Sequence, residues 1–493
     1  MSRLSQKTLA MLAPQMVFPR YPRSAAEHRV VHLGLGNFHR AHQAWYLDQL
    51  RSNGDLSWSM RGASLLPGDA ALLTALGEQD GLYCLTEKAT SGEIRHRVIG
   101  SIEAVLPPGD LDLLAAWLAD PVTALVTLTI TEGGGYLRQA ATGHIDPQAP
   151  EPAADAALER PSSVFGFIAR ALAARRAAGT APFTVLSCDN LIDNGVAARE
   201  AVAAFAAALD PDLGSWVASE VAFPNSMVDG ITPAATSADR DQAAAALGVR
   251  DECTVTCEPF RQWVIEDRFP TGRPRWEKAG ALLVNDVAPY ERMKLRLLNA
   301  GHQVLGCSGA LAGFRHIHDV AQDPDLGGLL EVFWADEARP QLEPPPGVDL
   351  VDYCRVLRDR FSNPGIADPV ARIAAQASDR VPTFVLPTLE ANLATGGSID
   401  CAAFVLAAWA RYLLGRDDNG EPLDPVDDRL ATLLPLVQAD PELPLGLLDH
   451  PVLASVGSQP RLRTAFATFY RTISTIGAQA AARTIVDNQN PSR

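Results

Sequence analysis

Apolar residues are spaced in two different ways along the chain, and the change comes near residue 286. Before it, short apolar runs of strand length alternate with segments of helical periodicity. The runs lie at 29–35, 57–66, 97–102, 122–130 and 183–188, and the helical segments around 110–119, 163–178 and 195–208. Strands and helices in alternation predict a mainly parallel sheet covered by helices. From about 286 onwards helical periodicity dominates. We therefore predict an α/β domain over 1–285 and a mainly helical domain over 286–493.

The second domain is predicted to begin with a helix that carries polar groups among leucines. We expect helices at 291–313, 326–339, 349–360, 368–378, 387–395, 400–415, 427–438 and 461–483. Wound at about 100° per residue, the first of these puts four polar side chains in one arc of about 140° that also contains leucines: Glu291, Lys294, Asn299 and His302. Buried polar groups are costly unless they are hydrogen-bonded or used. This face is therefore a candidate site.

The spacing of two of these residues sets a geometric condition on the site. Lys294 and Asn299 are separated by about 7.5 Å of helix rise. Both side chains can reach one atom only from opposite sides of it, or if the helix is distorted. We expect any such distortion near Gly301, which follows Asn299 by two residues.

The first apolar run continues directly into a glycine turn, and a helical pattern follows. Strand, glycine turn and helix form the phosphate-binding opening of a Rossmann-like dinucleotide fold, where bare backbone approaches the pyrophosphate. His39 stands where the usual third glycine would be, so an ordinary strand-to-helix turn remains the alternative. His39 and His42 are interpreted as packing residues near the cofactor. The candidate cofactor-binding residues of the turn are Gly34, Gly36, Asn37, Phe38 and Arg40.

Asp69 lies just beyond the second predicted strand. In dinucleotide folds an acid after the second strand binds the ribose hydroxyls of the adenosine and repels a 2′-phosphate. The alternative is a helix N-cap before Ala70, and the two roles are compatible. No Arg or Lys lies between Gly62 and Gln79. The sequence therefore favours NAD over NADP.

Polar clusters follow three of the predicted strands. They are Thr129–Gly135, Ser187–Asn190 and the segment from Phe223 to Pro233. Any one of them fits an ordinary turn. Strands of a parallel sheet end at the ligand crevice, so three such clusters together favour a site at that edge.

Charge and cysteine usage narrow the class of protein. The net charge is −16 and no long basic run is present, which argues against nucleic acid or an acidic membrane surface as a partner. No signal-peptide core is found, and no apolar run reaches the roughly 20 residues that span a bilayer. The seven cysteines are scattered, which predicts a reducing compartment and therefore the cytoplasm.

His316 and His318 invite a metal-site interpretation. No third or fourth ligand lies at metal-site spacing, and residues i and i+2 do not share a helix face. We therefore predict no metal site.

The motifs described above come in one specific order along the chain. The glycine turn, Thr129–Glu132, Ser187–Asn190 and the Asn225 to Asp229 segment are followed by Lys294-x4-Asn299-x2-His302 and by Arg360–Asn363. This order resembles the polyol-specific long-chain dehydrogenases over about residues 29 to 475, and the Lys-Asn-His spacing is its most specific mark. The resemblance implies a monomeric, zinc-independent, NAD(P)-dependent enzyme that interconverts a sugar alcohol and a ketose, typically D-mannitol and D-fructose.

The resemblance also implies a role for individual residues. Lys294 matches the general base, and Asn190 and Asn299 match amides that stabilise the reacting oxygen. His302 matches a substrate-orienting histidine, and Glu291 a carboxylate linked to proton exchange with solvent. The matching substrate contacts are Val228, Asp229, Arg372 and Arg380, the last standing where relatives can have Lys.

The reaction itself favours a lysine base. Hydride transfer from a carbinol leaves a proton that, without a metal, a side chain must take. A lysine does this near neutral pH only if burial or positive neighbours lower its pKa. We expect an NAD-dependent enzyme acting on D-mannitol or D-arabinitol. Departures at Gly230, at Ala300–Gly301 and in the third glycine, Gly135, put the polyol in doubt. A fructuronate or tagaturonate reductase, and a dinucleotide-binding sensor without catalysis, are the alternatives.

Overall fold

The computed structural model describes residues 1–23, 26–130, 136, 145–146 and 149–489. Thr131–Gly135, part of one of the predicted polar clusters, lie outside these residues. By its internal contacts the chain divides into two compact units. The first comprises Met1–Ala89 with Glu93–Ala288, and the second comprises Thr90–Gly92 with Pro289–Arg493. Within the described ranges, no helix has the length and apolarity needed to cross a bilayer.

The first unit is built on a parallel sheet with the order β5-β2-β1-β6-β7. Its strands and those of two smaller sheets are β1 (His28–Leu33), β2 (Trp58–Ala63), β3 (Tyr83–Lys88), β4 (Ile94–Ile99), β5 (Ile102–Val105), β6 (Thr123–Leu128), β7 (Thr184–Ser187), β8 (Ser226–Asp229), β9 (Val255–Cys257), β10 (Gln262–Glu266) and β11 (Leu282–Val284). Within the parallel sheet the chain crosses over after its third strand and continues on the other side of β1. This is the strand order of a dinucleotide-binding fold.

The central strands are covered on both faces, which explains their uninterrupted apolar sequences. Every residue of β6 is buried, and β1 is buried after its first residue. The strand ends are in register: Leu33 pairs with Ala63 and with Leu128, and Leu128 pairs with Ser187. The residues that follow these strands therefore come out along one edge of the sheet.

The helices of the first unit flank this sheet. They are Asn37–Ala41, Gln43–Ser52, Ala70–Glu78, Leu111–Ala119, Glu151–Ala156, Val164–Ala177, Asn194–Leu209, Pro211–Glu220 and Ser237–Leu247. The predicted helices begin where the sequence supplies a cap. Asp110 accepts a hydrogen bond from the Leu113 N–H, and Ser163 accepts one from the Gly166 N–H.

The predicted strand at 97–102 is wrong as a single element. β4 ends at Ile99 and pairs antiparallel with β3, whereas β5 begins at Ile102 and joins the parallel sheet. Gly100 lies between the two strands. A Cβ at this position would overlap the Pro19 ring. One apolar run thus conceals two strands in two sheets.

The Asn225 to Asp229 segment also differs from the prediction. It was expected to follow a strand, but Ser226–Asp229 is itself a strand, β8. It pairs antiparallel with β10, which pairs in parallel with β11. The polar residues at its end therefore belong to a second, smaller sheet.

The second unit is mainly helical, which confirms the predicted fold class. Its helices, counting the one that enters it from Ala288, are Ala288–Lys294, Ala300–Leu311, Ile317–Gln322, Leu326–Val332, Leu350–Phe361, Val370–Ala374, Ala377–Arg380, Leu386–Thr395, Asp400–Tyr412, Leu430–Gln438, Pro460–Ile476 and Ala478–Gln489. Three segments are π-helical: Leu295–Asn299, Phe333–Ala338 and Val381–Val385. The first of these is in contact with both of the others.

Two predicted helices of this unit are broken. The helix expected at 368–378 is interrupted at Gln376, whose φ is 54°, and the helix expected at 461–483 is interrupted at Gly477, whose φ is 83°. These backbone conformations end an α-helix. The apolar periodicity continues across each break because both halves face the same core.

A buried carboxyl group lies at the start of helix Asp400–Tyr412, in which all residues except Asp400 and Arg411 are buried. Glu337 accepts hydrogen bonds from the Cys401 N–H at 2.6 Å and from the Ala402 N–H at 3.1 Å. These donors have no partner within the helix and favour a negative charge. Burial outweighs them and raises the pKa of Glu337 from 4.5 to about 8.

Candidate active site

The glycine turn follows β1 at the carboxyl edge of the parallel sheet. Gly34 has a φ of 101°, and a Cβ at this position would overlap the carbonyl oxygen of Thr129. Packing between the ends of β1 and β6 therefore requires this glycine. Gly36 is different, because a Cβ there would lie 4.0 Å from its nearest neighbour, the Gly34 oxygen. Bare backbone at Gly36 leaves room for a ligand rather than for the protein.

Arg40 is buried beneath this turn. Its guanidinium donates to the Gly36 oxygen at 3.2 Å, to the Asn37 Oδ1 at 2.6 Å and to the Cys253 oxygen. The Tyr83 hydroxyl donates to the Arg40 carbonyl at 2.5 Å. The structure thus places Arg40 as the residue that holds the shape of the turn.

His39 occupies the place of the missing third glycine. Its ring stacks on that of His32, with centroids 3.3 Å apart and an interplanar angle of 13°. His32 is hydrogen-bonded to the Thr127 hydroxyl at 2.8 Å and lies 3.0 Å from the Gly34 oxygen. Burial lowers the pKa of His32 to about 3 and that of His39 well below its usual range. Both rings are therefore neutral packing groups under the turn.

Asp69 lies at the same edge of the sheet, after β2. It is the N-cap residue of helix Ala70–Glu78, but its side chain makes no cap hydrogen bond. The carboxylate instead accepts a hydrogen bond of 2.5 Å from the Ser64 hydroxyl. Asp69 therefore stands at the predicted helix N-terminus without a capping hydrogen bond from its side chain, and the ribose-binding role stays a prediction.

Asn190 is exposed and follows β7, three residues after Ser187. Its neighbour Asp189 is buried and accepts a hydrogen bond of 2.5 Å from the Tyr136 hydroxyl. Asn194, which the sequence did not single out, donates to the oxygens of Asp189 at 3.0 Å and Ser226 at 2.7 Å. Its Oδ1 accepts the Ser226 N–H at 2.9 Å. This one buried amide ties the loop that carries Asn190 to the first residue of β8.

Val228 and Asp229 are the last residues of β8, and both are buried. Asn225 fixes the approach to this strand. Its Oδ1 accepts the Gly195 N–H at 2.8 Å, and its amide nitrogen donates to Glu266 at 3.2 Å. Asn225 was recognised only as part of a motif, and no sequence signal predicted its bonding partners.

In the second unit, the helix that carries the polar face changes form between its two key residues. Lys294 ends an α-helix, Leu295–Asn299 is π-helical, and an α-helix resumes at Ala300. An α-helix bonds residues i and i+4, whereas a π-turn bonds i and i+5. Asn299, five residues after Lys294, thus takes the place that the fourth residue would have on an α-helix. The helix is thus distorted near Gly301, as predicted, over the residues Leu295–Asn299.

The polar side chains around the π-turn are buried or half-buried. Lys294 is 7% and His302 8% exposed. Within the described part of the chain, no donor reaches the buried Oδ1 of Asn299. A buried amide oxygen without a donor is costly, so its presence suggests a polar ligand at this face. Glu291 is half-buried, one turn before Lys294.

The imidazole of His302 lies on the ring of Phe361, with centroids 4.2 Å apart and an interplanar angle of 25°. Phe361 ends helix Leu350–Phe361 and belongs to the motif Arg360–Asn363. A Cβ at Gly301 would lie 3.3 Å from both Phe361 and Trp334 and 3.1 Å from Leu330. The glycine is therefore matched to the two rings that pack beside it.

The two candidate substrate arginines already have protein partners. Arg372 forms a two-point ion pair with Asp368, with one N–O distance of 2.6 Å. This pairing raises the pKa of the guanidinium above its usual value. Arg380 donates to the carbonyl oxygens of Arg372 at 2.8 Å and Ile373 at 3.2 Å. Any substrate contact must use their remaining N–H groups, and both roles stay predictions.

The backbone at His316 and His318 is not the continuous helix that the prediction assumed. His316 has extended backbone and precedes helix Ile317–Gln322, so the i, i+2 rule does not apply. Ligand atoms of His316, His318 and Asp319 lie within 4.8 Å of one another. Asp319 lies 3.7 Å from His316 Nδ1 and 3.3 Å from His318 Nε2. Both imidazoles thus lie close to one carboxylate, and metal independence stays a prediction.

Models of two domains from one family match the chain. They are the mannitol dehydrogenase Rossmann domain over residues 28–278 and the mannitol dehydrogenase C-terminal domain over residues 286–473. A mannitol 2-dehydrogenase of Cereibacter sphaeroides is 40% identical and covers 94% of this chain and 98% of its own length. These matches confirm the resemblance inferred from the order of the motifs.

Two solved structures share the fold of the whole chain. The ternary complex of Pseudomonas fluorescens mannitol 2-dehydrogenase with NAD and D-mannitol superposes with a TM-score of 0.88 at 39% identity, covering 98% of this chain and 99% of that one. Substrate-free D-sorbitol dehydrogenase superposes with a TM-score of 0.88 at 34% identity, covering 97% and 100%. The chain therefore belongs to the mannitol dehydrogenase family and is a polyol dehydrogenase.

Proposed function

We propose that this enzyme interconverts D-mannitol and D-fructose with NAD, by metal-independent hydride transfer and with Lys294 as the general base. The observation that carries the proposal is the π-turn Leu295–Asn299, which puts the buried Lys294 and the half-buried Asn299 one turn apart. The relative in complex with NAD and D-mannitol supports this choice of substrate and cofactor.

The proposed chemistry assigns one task to each polar group. NAD, when bound, accepts a hydride from the carbinol carbon. The Lys294 amine takes the hydroxyl proton, and the amides of Asn299 and Asn190 donate to the oxygen as it gains alkoxide character. His302, held by its stack on Phe361, orients the substrate. Glu291 passes the proton on to solvent.

The residues at the edge of the parallel sheet fit a dinucleotide. Gly36 leaves open backbone at the N-terminus of helix Asn37–Ala41, where a pyrophosphate is stabilised. Arg40 and Asn37 fix the turn. Phe38 lies between them in the same short helix. The Asp69 carboxylate would accept the ribose hydroxyls and repel a 2′-phosphate, so we propose NAD rather than NADP.

The first experiment compares Lys294→Ala with a matched control, Lys278→Ala, which removes an exposed lysine of the first unit. D-mannitol oxidation is followed by NADH absorbance. Lys294→Ala should lose turnover by at least about 10³-fold because the proposed base is removed, while NADH binding stays intact. Lys278→Ala should match the wild type. Unaltered turnover in Lys294→Ala would remove the general-base assignment.

A substrate panel tests the choice of polyol. It contains D-mannitol, D-sorbitol and D-arabinitol for oxidation, and fructose, fructuronate and tagaturonate for reduction. D-sorbitol is included because D-sorbitol dehydrogenase shares the fold at the same TM-score of 0.88. We expect the highest kcat/KM for D-mannitol and fructose. A preference for a uronate would overturn the substrate assignment, and tight NADH binding without turnover of any substrate would indicate a sensor.

We further propose that the enzyme acts as a monomer in the cytoplasm. All seven cysteines are free and buried, which fits a reducing compartment. Light scattering of the purified enzyme should give the mass of one chain, 52.7 kDa. A multiple of that mass would replace the monomer with an oligomer.

A further inference from the structure

The π-turn between Lys294 and Asn299 carries an irregular hydrogen-bond ladder. The Ala300 N–H is shared between the carbonyls of Leu295, five residues back, and Leu297, three residues back. Shared bonds of this kind mark the point where a helix changes from one bonding pattern to another. The Leu297 carbonyl, on a fully buried residue, thus accepts one of these shared bonds.

A tryptophan side chain also donates to the Leu297 carbonyl. The Trp334 Nε1–H donates to the Leu297 oxygen at 2.9 Å. Trp334 is buried and belongs to the π-helical segment Phe333–Ala338, which is in contact with Leu295–Asn299. A side chain inserted into the ladder in this way stabilises a local distortion of a helix.

The same indole ring touches the other parts of the face. Its Cζ2 would be 3.3 Å from a Cβ on Gly301, and its ring centroid lies 6.2 Å from that of Phe361. Phe361 in turn carries the imidazole of His302. Trp334 therefore contacts the backbone between Lys294 and Asn299 and also the ring that supports His302.

Burial alone does not explain the hydrogen bond of Trp334. The indole nitrogens of Trp45, Trp263 and Trp409 are also buried, and no acceptor reaches them within the part of the chain that the structure describes. This fold tolerates buried indoles whose N–H is not bonded. The bond to Leu297 is thus a specific feature of the π-turn.

We propose that Trp334 is a positioning residue: its indole N–H fixes the π-turn and thereby the placement of Lys294 relative to Asn299. The inference rests on the proposed function of those two residues. It assigns to the indole no contact with substrate or cofactor. Its effect is carried through the helix backbone.

The test replaces Trp334 by Phe and compares it with Trp409→Phe. Both changes shorten a buried tryptophan of the second unit, but only the first removes a hydrogen bond to the π-turn. In Trp334→Phe we expect kcat to fall about 10- to 100-fold, as expected when a reacting group is misplaced by up to about 1 Å. The KM for D-mannitol and NADH binding should change less than about threefold. Trp409→Phe should retain the wild-type kcat.

A double-mutant cycle separates positioning from general structural damage. If Trp334 acts through Asn299, Trp334→Phe should cost much less in an Asn299→Ala background than in the wild type. Introducing β-(3-benzothienyl)alanine at 334 removes only the N–H and keeps the ring shape, so it serves if Trp334→Phe does not fold. It should reproduce the loss of kcat.

Each outcome bears on one proposal. Equal kcat for Trp334→Phe and Trp409→Phe, or full loss from Trp334→Phe in the Asn299→Ala background, would overturn the positioning role. An active Lys294→Ala would instead overturn the proposed base. The two results are obtained independently, so one proposal can fail while the other stands.

Discussion

Glu337 makes the stability of the second unit depend on pH in an unusual direction. Its carboxyl is buried at the start of helix Asp400–Tyr412, and burial raises the pKa from 4.5 to about 8. A carboxyl that binds its proton more tightly in the folded state stabilises the fold fully below pH 4.5, and this contribution is lost as pH rises to about 8. The span is about 3.5 pH units at about 1.4 kcal/mol each, or about 5 kcal/mol.

Glu337→Gln removes this titration and keeps a side chain of the same shape. The amide nitrogen replaces one of the two accepting oxygens, so one helix N–H loses its acceptor, and that cost is the same at every pH. Urea unfolding of both proteins between about pH 5 and pH 9 therefore isolates the titrating part. The wild type should lose stability relative to the variant as pH rises. Glu343→Gln, an exposed glutamate of the same unit, is the control and should follow the wild type. Parallel profiles for wild type and Glu337→Gln would refute the reasoning.

Two further predictions concern the candidate site. Asp69→Ala should raise the ratio of kcat/KM with NADP to that with NAD by about 10-fold or more, because the carboxylate that repels the 2′-phosphate is gone; an unchanged ratio would remove Asp69 from the ribose site. Phe361→Leu should lower kcat/KM for D-mannitol about 10-fold because His302 loses the ring on which it stacks, whereas NADH binding should be unchanged. Loss of NADH binding in Phe361→Leu would show that the change acts beyond His302.

The sequence was sufficient for the parallel sheet because its central strands are buried on both faces. Such strands read as continuous apolar runs, and their ends carry polar residues of the proposed site. The prediction of a single strand at 97–102 was wrong for a related reason. An apolar run records burial but not the partner strand, so the change from β4 to β5 at Gly100 left no signal.

The sequence identified the polar residues of the first helix of the second unit, but it did not predict how the helix arranges them. A helical wheel assumes the same rotation at every residue, and it places Asn299 well round the helix from Lys294. The π-turn changes that relation, and it depends on Trp334, a residue distant in sequence. The apolar pattern of Leu295–Asn299 therefore does not predict the π-turn.

Side-chain partners were the least predictable feature. The bond from Ser64 to Asp69 and the clamp made by Asn194 join residues brought together by the sheet. The pair Arg372–Asp368 is an exception. Asp368 and Arg372 are four residues apart at the start of a helix, and ion pairs commonly form at this spacing. The pair could therefore have been predicted from the sequence.

Rescue of Lys294→Ala by small primary amines tests the general base most directly. The variant leaves space where the lysine side chain was buried, and a soluble amine that enters it can take the hydroxyl proton. Hydride transfer from D-mannitol to NAD should then return in proportion to the concentration of unprotonated amine, and more basic amines should rescue faster. A Lys294→Ala enzyme that binds NADH but is inactive at every amine concentration, or one that turns over without amine, would contradict the assignment.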